Sequence, residues 1–366
     1  MQTEHSPLSM CRLFSIPDLD WACESFGHGH INETYLVSSP AHAESYILQR
    51  VSPAAFHHPE QVMENMARVT KHLGQVIARR GGDPYRECLS IVPLKTGEIF
   101  TLAADGAAWR MTRNITGTVS FELPDTDDVF EKTGQAFGTF QRDLMDFPAA
   151  TLHETIPHFH DTPDRLRLFR EALEKDICKR AEGAEDLIRD YLARADRADA
   201  LTAPLSAGKL PLRVTHNDTK LNNVLFDEVS RTPVCVVDLD TVMPGLSAYD
   251  FGDAIRFGAS TALEDERDPE KIRFSFPMFA AFARGYLQAL DGAVTPAEAD
   301  SLPVGAWMMT YECGMRFLTD YLSGDTYFHT AYPEHNLVRA KNQMTLLQDM
   351  EHYADEMLSC VRSLIA

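Results

Sequence analysis

Carboxylate and amide side chains are concentrated between residues 212 and 253, in the stretch LRVTHNDTKLNNVLFDEVSRTPVCVVDLDTVMPGLSAYDFGD. A short apolar run ends at His216, a polar loop then carries Asp218 and Asn223, and a second β-rich run ends at Asp238. A carboxylate at the end of a strand can accept a proton from a hydroxyl nucleophile. Carboxylate and amide oxygens also suit Mg²⁺, which is usually held by one or two protein groups plus substrate phosphates. A base beside such a metal site is the apparatus of phosphoryl transfer.

Each of these residues, taken singly, also has an ordinary structural role. Asp and Asn are common turn residues between strands, and Asp238 and Asp240 would serve equally well to close a hairpin. The order of the set is more specific, because His-x-Asp-x4-Asn followed by an apolar residue and Asp resembles the catalytic loop and metal aspartate of protein-kinase-like enzymes. This order favours Asp218 as the base and Asn223 and Asp238 as the metal ligands.

The composition restricts the partners and the compartment that we expect. A formal net charge of -20 argues against nucleic acid and against an anionic membrane surface, because both require a basic patch on the protein. The seven cysteines are scattered without a C-x-x-C pair, which is typical of reduced core residues and not of a zinc site or a disulfide framework. We find no signal peptide and no membrane-spanning apolar run, so we expect a soluble, cytoplasmic protein with no obligate protein partner.

The elements that must position the candidate residues change character along the chain. Residues 1–112 contain several β-rich runs and one amphipathic helix over 59–79, where apolar residues recur at spacings of three and four. Helical patterns dominate residues 118–366, which close with an apolar stripe that predicts one long helix over 336–364. The sequence therefore predicts an α+β fold with a small β-rich lobe, a connection at 113–117 and a larger helical lobe.

Two features of the first lobe bear on nucleotide binding. Gly27 and Gly29 lie between two apolar runs and predict a hairpin tip that can approach a ligand closely, although an ordinary hairpin with a solvated His30 fits the same pattern. In kinase-like folds the next strand carries a lysine that contacts the ATP phosphates, and Gln49 occupies the matching position here. A neutral hydrogen bond from Gln49 to Glu64 is one candidate substitute for the missing lysine–glutamate ion pair.

Over nearly its whole length the chain resembles the aminoglycoside-phosphotransferase/choline-kinase-like superfamily, and within it the N-acetylhexosamine 1-kinases. The longer matching stretches are specific, whereas the glycine loop is not. The stretches that carry the resemblance are residues 29–32, 109–110, 159–163, 212–223, 238–245, 250–253, 256–267, 312–316 and 333–339.

This resemblance implies a bilobal protein-kinase-like fold and an enzyme that uses ATP and Mg²⁺. The implied acceptor is the anomeric C1 hydroxyl of N-acetylglucosamine or N-acetylgalactosamine, and the product is the sugar 1-phosphate. The implied roles are catalysis by Asp218; magnesium binding by Asn223 and Asp238; nucleotide binding by Gly27, Gly29, Gln49, Arg113, Asn114 and Ile115; substrate binding by His30, Asp253, Arg316 and Tyr327; and support of the catalytic loop by His216 and Asp250.

Three other functions stay open on the sequence alone. A kinase for another small alcohol, such as an aminoglycoside, choline or a different sugar, suits the acidic composition, but Arg316 would repel an amine. A non-catalytic ATP-binding scaffold is supported only by the missing lysine and is opposed by the intact base and metal ligands. A metal-dependent hydrolase would hold its metal without nucleotide, through His216, Asp218, Asp238 and Asp240. The sequence leaves open the choice of epimer, the tolerance of other hexoses and the oligomeric state.

Overall fold

A computed structural model describes residues 6–27, 32–53, 56–124 and 126–365. The chain divides into unit 1, which comprises Met1–Ser120, Thr151–Ile156 and Val224–Met243, and unit 2, which comprises Phe121–Ala150, Pro157–Asn223 and Pro244–Ala366. The functional lobes expected at 1–112 and 118–366, with a hinge at 113–117, stay a prediction.

The helices and strands of both units follow one another along the chain. In order they are α1 (Pro7–Cys11), β1 (Ala22–Ser25), β2 (Glu33–Ser38), β3 (Tyr46–Val51), α2 (Pro59–Arg79), α3 (Pro84–Glu87), β4 (Ile91–Val92), β5 (Thr101–Leu102), β6 (Ala108–Arg113), β7 (Thr118–Val119), α4 (Asp127–Asp143), α5 (Thr162–Lys175), α6 (Glu185–Leu192), α7 (Thr202–Ser206), β8 (Arg213–Thr215), β9 (Val224–Asp227), β10 (Pro233–Val236), β11 (Met243–Gly245), α8 (Ser247–Gly258), α9 (Phe276–Leu290), α10 (Pro296–Leu322), α11 (His335–Glu351) and α12 (Ala354–Ile365).

Unit 1 is organised around an antiparallel sheet in the strand order β1, β2, β3, β6, β4, with β5 also paired to β6. Side chains alternate between its two faces, as the period of a strand requires. Leu48 and Met111 lie opposite each other and are fully buried on the face covered by the N-terminal segment. Val51 and Ala108 are buried on the other face together with Val62 of α2. Both faces of the sheet are therefore covered.

Helix α2 spans Pro59–Arg79, which are the bounds that the apolar period predicts. Proline occupies its first position, where the missing N–H has no partner in a helix, and the buried stripe includes Val62, Met66, Val69 and Leu73. A hairpin of β9 and β10 belongs to the same unit and carries Asp238 just beyond its second strand.

Unit 2 is mainly helical and places α8 in very close contact with α10. A Cβ built on Gly252 of α8 would collide with the carbonyl group of Gly305, and one built on Gly305 would collide with the carbonyl group of Ala248. The two backbones can approach this closely only because neither position carries a side chain. A capping box of Thr295 and Glu298 fixes the start of α10. Helix α10 thereby holds α8, the helix that carries Asp250 and Asp253.

The closing helix predicted over 336–364 is wrong, because the chain forms α11 and α12 in its place. Helix α11 ends at Glu351, and the Tyr353 ring packs against the rings of Phe274 and Phe276 at centroid distances of 5.5 and 6.0 Å. This aromatic contact lies at the break, and an apolar period alone does not reveal it.

The predicted α+β fold class is confirmed, since the N-terminal part is a β-sheet region and the C-terminal part is helical. Within the described ranges, no helix combines the length and the apolar character needed to cross a membrane.

Candidate active site

Residues 216–223, which we call the catalytic loop after the role predicted from the sequence, lie over the side chain of Asp250 in unit 2. The carboxylate of Asp250 accepts hydrogen bonds from the backbone N–H groups of His216 at 2.9 Å and Asn217 at 2.8 Å. Its Oδ2 also accepts from Gln141 Nε2 at 2.8 Å, and its backbone carbonyl accepts from Thr219 Oγ1 at 2.6 Å. Asn217 has a positive φ of 63°, so these bonds hold the loop in a conformation that few residue types adopt readily. Asp250 therefore holds the loop through hydrogen bonds to three of its residues, which agrees with the supporting role predicted for it.

Asp253 contacts the same loop from one turn further along α8. Its Oδ2 accepts the Thr219 N–H at 3.0 Å, and its Oδ1 accepts Arg256 Nε and Nη2 at 3.1 and 3.0 Å. Arg256 in turn bonds Glu264 through Nη1 at 2.6 Å. Both oxygens of Asp253 thus have partners inside unit 2, and the substrate contact assigned to Asp253 from the resemblance stays a prediction.

His216 is fully buried and fixes the backbone immediately before the candidate base. Its ring lies edge-on to Phe137 and Phe140, with centroid distances of 5.6 and 5.9 Å. The Asp218 N–H donates to His216 Nδ1 at 3.3 Å, so the ring sets the direction of the Asp218 peptide. This placement agrees with a supporting role for His216.

Asp218 is paired with a lysine that the sequence interpretation did not single out. Lys220 Nζ lies 2.7 Å from Asp218 Oδ1, and the two side chains are 34% and 29% exposed. Burial alone would raise the pKa of the Asp218 carboxyl, but Lys220, His216 and Asn223 together hold that pKa below its usual range. Asp218 in turn raises the pKa of Lys220. The pair is therefore ionised at neutral pH. The spacing of Asp218 and Lys220, two residues apart, was the sequence signal from which this pairing could have been found.

The predicted metal ligands have the chemistry that Mg²⁺ requires. Asn223 turns its Nδ2 toward Asp218, at 2.8 Å from the backbone oxygen and 3.1 Å from Oδ2, which leaves the amide oxygen for a ligand. Asp238 belongs to unit 1, follows β10 and has a left-handed backbone with φ 59°. In the ranges given above, no group of three or more His, Cys, Asp and Glu could hold a metal ion. An amide oxygen and a carboxylate are ligand types that suit an ion bound chiefly through phosphate oxygens, and the metal roles of Asn223 and Asp238 stay predictions.

Unit 1 also places a buried cation opposite Gln49. Arg110 lies across from Gln49 in the β3–β6 pairing and is only 1% exposed. It donates a hydrogen bond to Gln49 Oε1 at 3.0 Å and forms an ion pair with Asp240. Asn32 Nδ2 donates to Asp240 Oδ2 at 2.6 Å. Arg110 therefore anchors Asp240, two residues after Asp238. The suggested Gln49–Glu64 bond is not formed among the described residues, because Gln49 Nε2 donates to Thr34 Oγ1 at 3.3 Å and Gln49 Oε1 accepts from Arg110. Glu64 bonds the ring of His153 at 2.9 Å.

Residues 113–115, assigned to nucleotide binding, lie at the end of β6 and just beyond it. The N–H groups of Arg113 and Asn114 donate to Ser90 O at 2.9 Å and Ser45 O at 3.0 Å. Ile115 is 7% exposed, and no hydrogen bond between described residues uses its N–H. Gly27 has φ 76°, which a side chain would strain. Gly29 and His30 lie outside the described residues.

Arg316 and Tyr327, both predicted to bind substrate, come together in unit 2. Arg316 Nη2 lies 3.4 Å from Tyr327 Oη, and the guanidinium carbon is 5.3, 5.7 and 5.5 Å from the ring centroids of Phe159, Tyr327 and Phe328. We call these four residues the acceptor cluster. Asp320 fixes the loop that carries Tyr327, since its carboxylate accepts the N–H groups of residues 326, 327 and 328 at 2.8–2.9 Å.

A comparison with protein families agrees with this arrangement. The family model described as "Phosphotransferase enzyme family" matches residues 22–291. The chain belongs to this phosphotransferase family. The predicted resemblance to aminoglycoside phosphotransferases and choline kinases is thereby confirmed at the level of the family.

Solved structures of other phosphotransferases share the fold at low sequence identity. A microcompartment-associated aminopropanol kinase is 16% identical, with 96% of this chain and 97% of that chain covered and a TM-score of 0.58. Choline kinase from Cryptosporidium parvum Iowa II is 13% identical, with 96% and 95% covered and a TM-score of 0.57. The GDP complex of aminoglycoside 2'-phosphotransferase-IIIa is 16% identical, with 90% and 94% covered and a TM-score of 0.55. At these identities the likeness is one of fold.

Proposed function

We propose that this phosphotransferase is a kinase that uses ATP and Mg²⁺ to phosphorylate the anomeric C1 hydroxyl of N-acetylhexosamines, giving the sugar 1-phosphate. Membership of the phosphotransferase family supports the reaction class. The sugar is supported by the resemblance of the sequence to N-acetylhexosamine 1-kinases and by the chemistry of the acceptor cluster.

The observation that carries the choice of acceptor is the guanidinium of Arg316 among three aromatic rings. Aromatic faces pack against the apolar face of a sugar ring, and a guanidinium donates hydrogen bonds to hydroxyl and carbonyl oxygens. A second guanidinium is close by, since Arg165 donates through Nε and Nη2 to the backbone oxygen of Phe159 at 3.3 and 3.1 Å. Burial and the charge of Arg316 both lower the pKa of Arg165. The compared structures include kinases named for aminopropanol and choline, whose acceptors carry an amino or ammonium group. Two arginines would repel such a cation.

In the proposed reaction Asp218 accepts the proton of the C1 hydroxyl as that oxygen attacks the γ-phosphorus atom and the bond to ADP breaks. An anomeric hydroxyl is more acidic than an ordinary alcohol, so a carboxylate with a lowered pKa is a sufficient base. Phosphoryl transfer demands little covalent help from the protein, so the rate depends on positioning the nucleophile and on neutralising charge. Magnesium held by Asn223 and Asp238 with the ATP phosphates would supply that neutralising charge.

The nucleotide assignments are proposals of the same kind. Arg113, Asn114 and Ile115 form the candidate adenine contact, and the Ile115 N–H is a donor that no hydrogen bond among the described residues uses. Gly27 and Gln49 are the candidate phosphate-side residues. The GDP complex among the compared structures shows nucleotide binding by that protein and supports a nucleotide donor here.

The test is ADP release by the purified protein with MgATP and one acceptor at a time. The acceptors are N-acetylglucosamine, N-acetylgalactosamine, their methyl glycosides, glucose, choline and an aminoglycoside. We expect turnover with the free N-acetylhexosamines, a phosphorus NMR signal coupled to the anomeric proton, and no turnover with the methyl glycosides, which lack the C1 hydroxyl. Asp218→Asn should abolish turnover while ATP still binds.

Other outcomes would select the alternatives. Turnover only with another alcohol would reject the substrate and keep the kinase. ATP binding without turnover on any acceptor would favour the non-catalytic scaffold. Tight metal binding without nucleotide, together with hydrolysis, would favour the metal-dependent hydrolase.

A further inference from the structure

A histidine–glutamate pair in unit 2 has no role in the reaction described so far. His160 precedes α5, and its Nδ1 lies 2.9 Å from Oε1 of Glu312 on α10. Thr162 Oγ1 donates to the other oxygen of Glu312 at 2.6 Å. The side chains of Glu312 and His160 are 2% and 10% exposed. Glu312 is thus a buried carboxylate whose two oxygens both have partners.

The charge of Glu312 determines which nitrogen of His160 carries the proton. Burial alone would raise the pKa of Glu312, but His160, Arg316 and Thr162 hold that pKa below its usual range. An ionised carboxylate only accepts hydrogen bonds, so His160 Nδ1 must donate. Nε2 is then an acceptor when the ring carries one proton and a donor when it carries two. Glu312 therefore orients the ring and fixes its tautomer.

His160 Nε2 is buried and has no hydrogen-bond partner among the described residues. Buried polar atoms in native proteins are nearly always satisfied, so such an atom needs an explanation. The ring is held by Phe159 and Tyr249, with centroid distances of 4.5 and 5.1 Å. These contacts restrict the ring without satisfying the nitrogen. A ligand that donates a hydrogen bond would satisfy it.

The His160–Glu312 pair lies next to two groups of residues, namely those that support the catalytic loop and those of the acceptor cluster. Tyr249, which contacts the His160 ring, is four residues before Asp253 on α8 and so shares its face. Asp253 binds the catalytic loop through the Thr219 N–H. Arg316 follows Glu312 by four residues on α10, and Phe159 contacts both the His160 ring and the Arg316 guanidinium. His160 therefore adjoins the catalytic loop's support on one side and the acceptor cluster on the other.

We propose that His160 is a specificity-determining residue that binds the acceptor, with Nε2 accepting a hydrogen bond from a hydroxyl or from the acetamide N–H of the sugar. The proposal rests on the proposed function and deepens it. The site selects a neutral, polyhydroxylated acceptor, because a hydrogen-bond acceptor is combined with two guanidinium groups, those of Arg165 and Arg316. A primary or quaternary amine would meet these two guanidinium groups, while both oxygens of the nearby Glu312 are already hydrogen-bonded to His160 and Thr162.

The experiment separates the two nitrogens of His160 by substitution. In His160→Asn the amide nitrogen occupies the place of Nδ1 and keeps the bond to Glu312, whereas the Nε2 position is empty. We expect the acceptor KM and the acceptor Kd from calorimetry to rise about tenfold, as loss of one buried hydrogen bond implies. The ATP KM and the thermal unfolding temperature should stay close to those of the wild type. His160→Gln, whose amide oxygen reaches toward the Nε2 position, should recover part of the acceptor affinity.

Acceptors that lack single groups then identify the donor. If the acetamide N–H donates to Nε2, His160→Asn should weaken N-acetylglucosamine much more than glucose. If a hydroxyl donates, both sugars should weaken by the same factor. Either pattern supports the proposal.

An unchanged acceptor KM and Kd in His160→Asn would overturn the proposal, as would equal increases for acceptor and ATP together with a lowered unfolding temperature. These results are distinct from failure of the proposed function. If the wild-type enzyme phosphorylates another neutral alcohol instead, the His160 variants are tested with that alcohol. If it phosphorylates N-acetylhexosamines and His160→Asn behaves like the wild type, the function stands and the role of His160 falls. A wild-type protein that binds no neutral alcohol rejects both.

Discussion

At the scale of single residues, the Asp218–Lys220 pair sets the charge of the candidate base. The two side chains lie 2.7 Å apart and are partly exposed, and Lys220 lowers the pKa of the Asp218 carboxyl. A group whose pKa is lowered stays ionised to a lower pH, so activity that needs the carboxylate is present above that pKa and is lost as the pH falls through it. The lysine thus widens the pH range in which the proposed base works.

Lys220→Met tests this account through the pH profile of kcat/KM. Removing the ammonium leaves burial as the dominant influence, so the pKa of Asp218 should rise and the acid limb of the profile should move to higher pH. We expect a loss in kcat/KM of about tenfold at mildly acidic pH, which becomes smaller toward neutral pH. The measurement is kcat/KM for the sugar between mildly acidic and neutral pH.

Lys220→Arg is the matched control for that variant. It keeps a positive charge beside Asp218, so its acid limb should remain near that of the wild type even if kcat falls. An acid limb at the same pH in wild type and Lys220→Met would show that the lysine does not control the ionisation of the base.

The candidate residues that a sequence pattern can group together are those close to one another along the chain. His216, Asp218 and Asn223 lie within eight residues, and their order alone indicated the loop that the structure brings together. Arg110 opposite Gln49 depends on the register of two strands that are 61 residues apart. The His160–Glu312 bond spans 152 residues. No single-sequence pattern encodes such distant partners, so these contacts were missed.

At the scale of secondary-structure elements, α8 and α10 determine where the candidate residues lie. Helix α8 contacts the catalytic loop through Asp250 and Asp253, and α10 carries Glu312 and Arg316. The glycines at their contact let the two backbones approach, so both sets of side chains are held by one rigid pair of helices.

Elements were predictable where one periodic pattern dominated. The apolar period gave α2 with its observed bounds, because that helix buries one continuous stripe. The same argument failed for α11 and α12, where the stripe continues across a break that coincides with the packing of Tyr353. The period reports which face is buried and does not report where the chain turns.

The loop after α10 depends on Asp320, which gives a prediction at this scale. Its buried carboxylate accepts the N–H groups of residues 326–328 and the Asn336 amide. Asp320→Ala leaves these donors unsatisfied and should lower the free energy of unfolding by roughly 3 kcal/mol. Because Tyr327 loses its position, the acceptor KM should rise more than the ATP KM. Denaturant unfolding and steady-state kinetics measure the two effects.

Asp300→Asn on the same helix provides the control for Asp320→Ala. Asp300 pairs with Arg362 in an exposed ion pair, and such pairs contribute at most about 1 kcal/mol. We expect near wild-type stability and unchanged KM values for both substrates. If Asp320→Ala and Asp300→Asn have the same KM for the acceptor, the loop over residues 326–328 has no role in acceptor binding.

At the scale of the whole molecule, a net charge of -20 coexists with cations beside the candidate residues, where Arg110 pairs with Asp240 and Lys220 pairs with Asp218. Arg110 in unit 1 and Arg165, Lys220 and Arg316 in unit 2 are cations next to groups with proposed roles. The overall acidity therefore describes the solvated surface and does not exclude an anionic ligand such as ATP, because charge pairs act over a few ångströms and are screened beyond about 10 Å.

The proposed metal ligands lead to a prediction about the stability of the whole protein. A ligand that binds only the folded state stabilises it by about 2.7 kcal/mol at one hundred times its Kd, so MgATP should raise the unfolding temperature by a few degrees. If Asp238 holds magnesium, wild type with ATP and a chelator should lose most of that increment. In Asp238→Asn, ATP should raise the unfolding temperature by the same reduced amount with and without magnesium.

Asp240→Asn separates a metal ligand from a structural carboxylate. Asp240 is buried against Arg110, so its variant should lower the unfolding temperature of the free protein, whereas Asp238→Asn should act mainly on the magnesium-dependent part. Thermal unfolding of both variants with ATP, with MgATP and without ligand distinguishes the two roles. A full magnesium increment in Asp238→Asn would remove Asp238 from the proposed metal site. The charge that neutralises the phosphates would then have to come from the nearby cationic side chains and from magnesium held without Asp238.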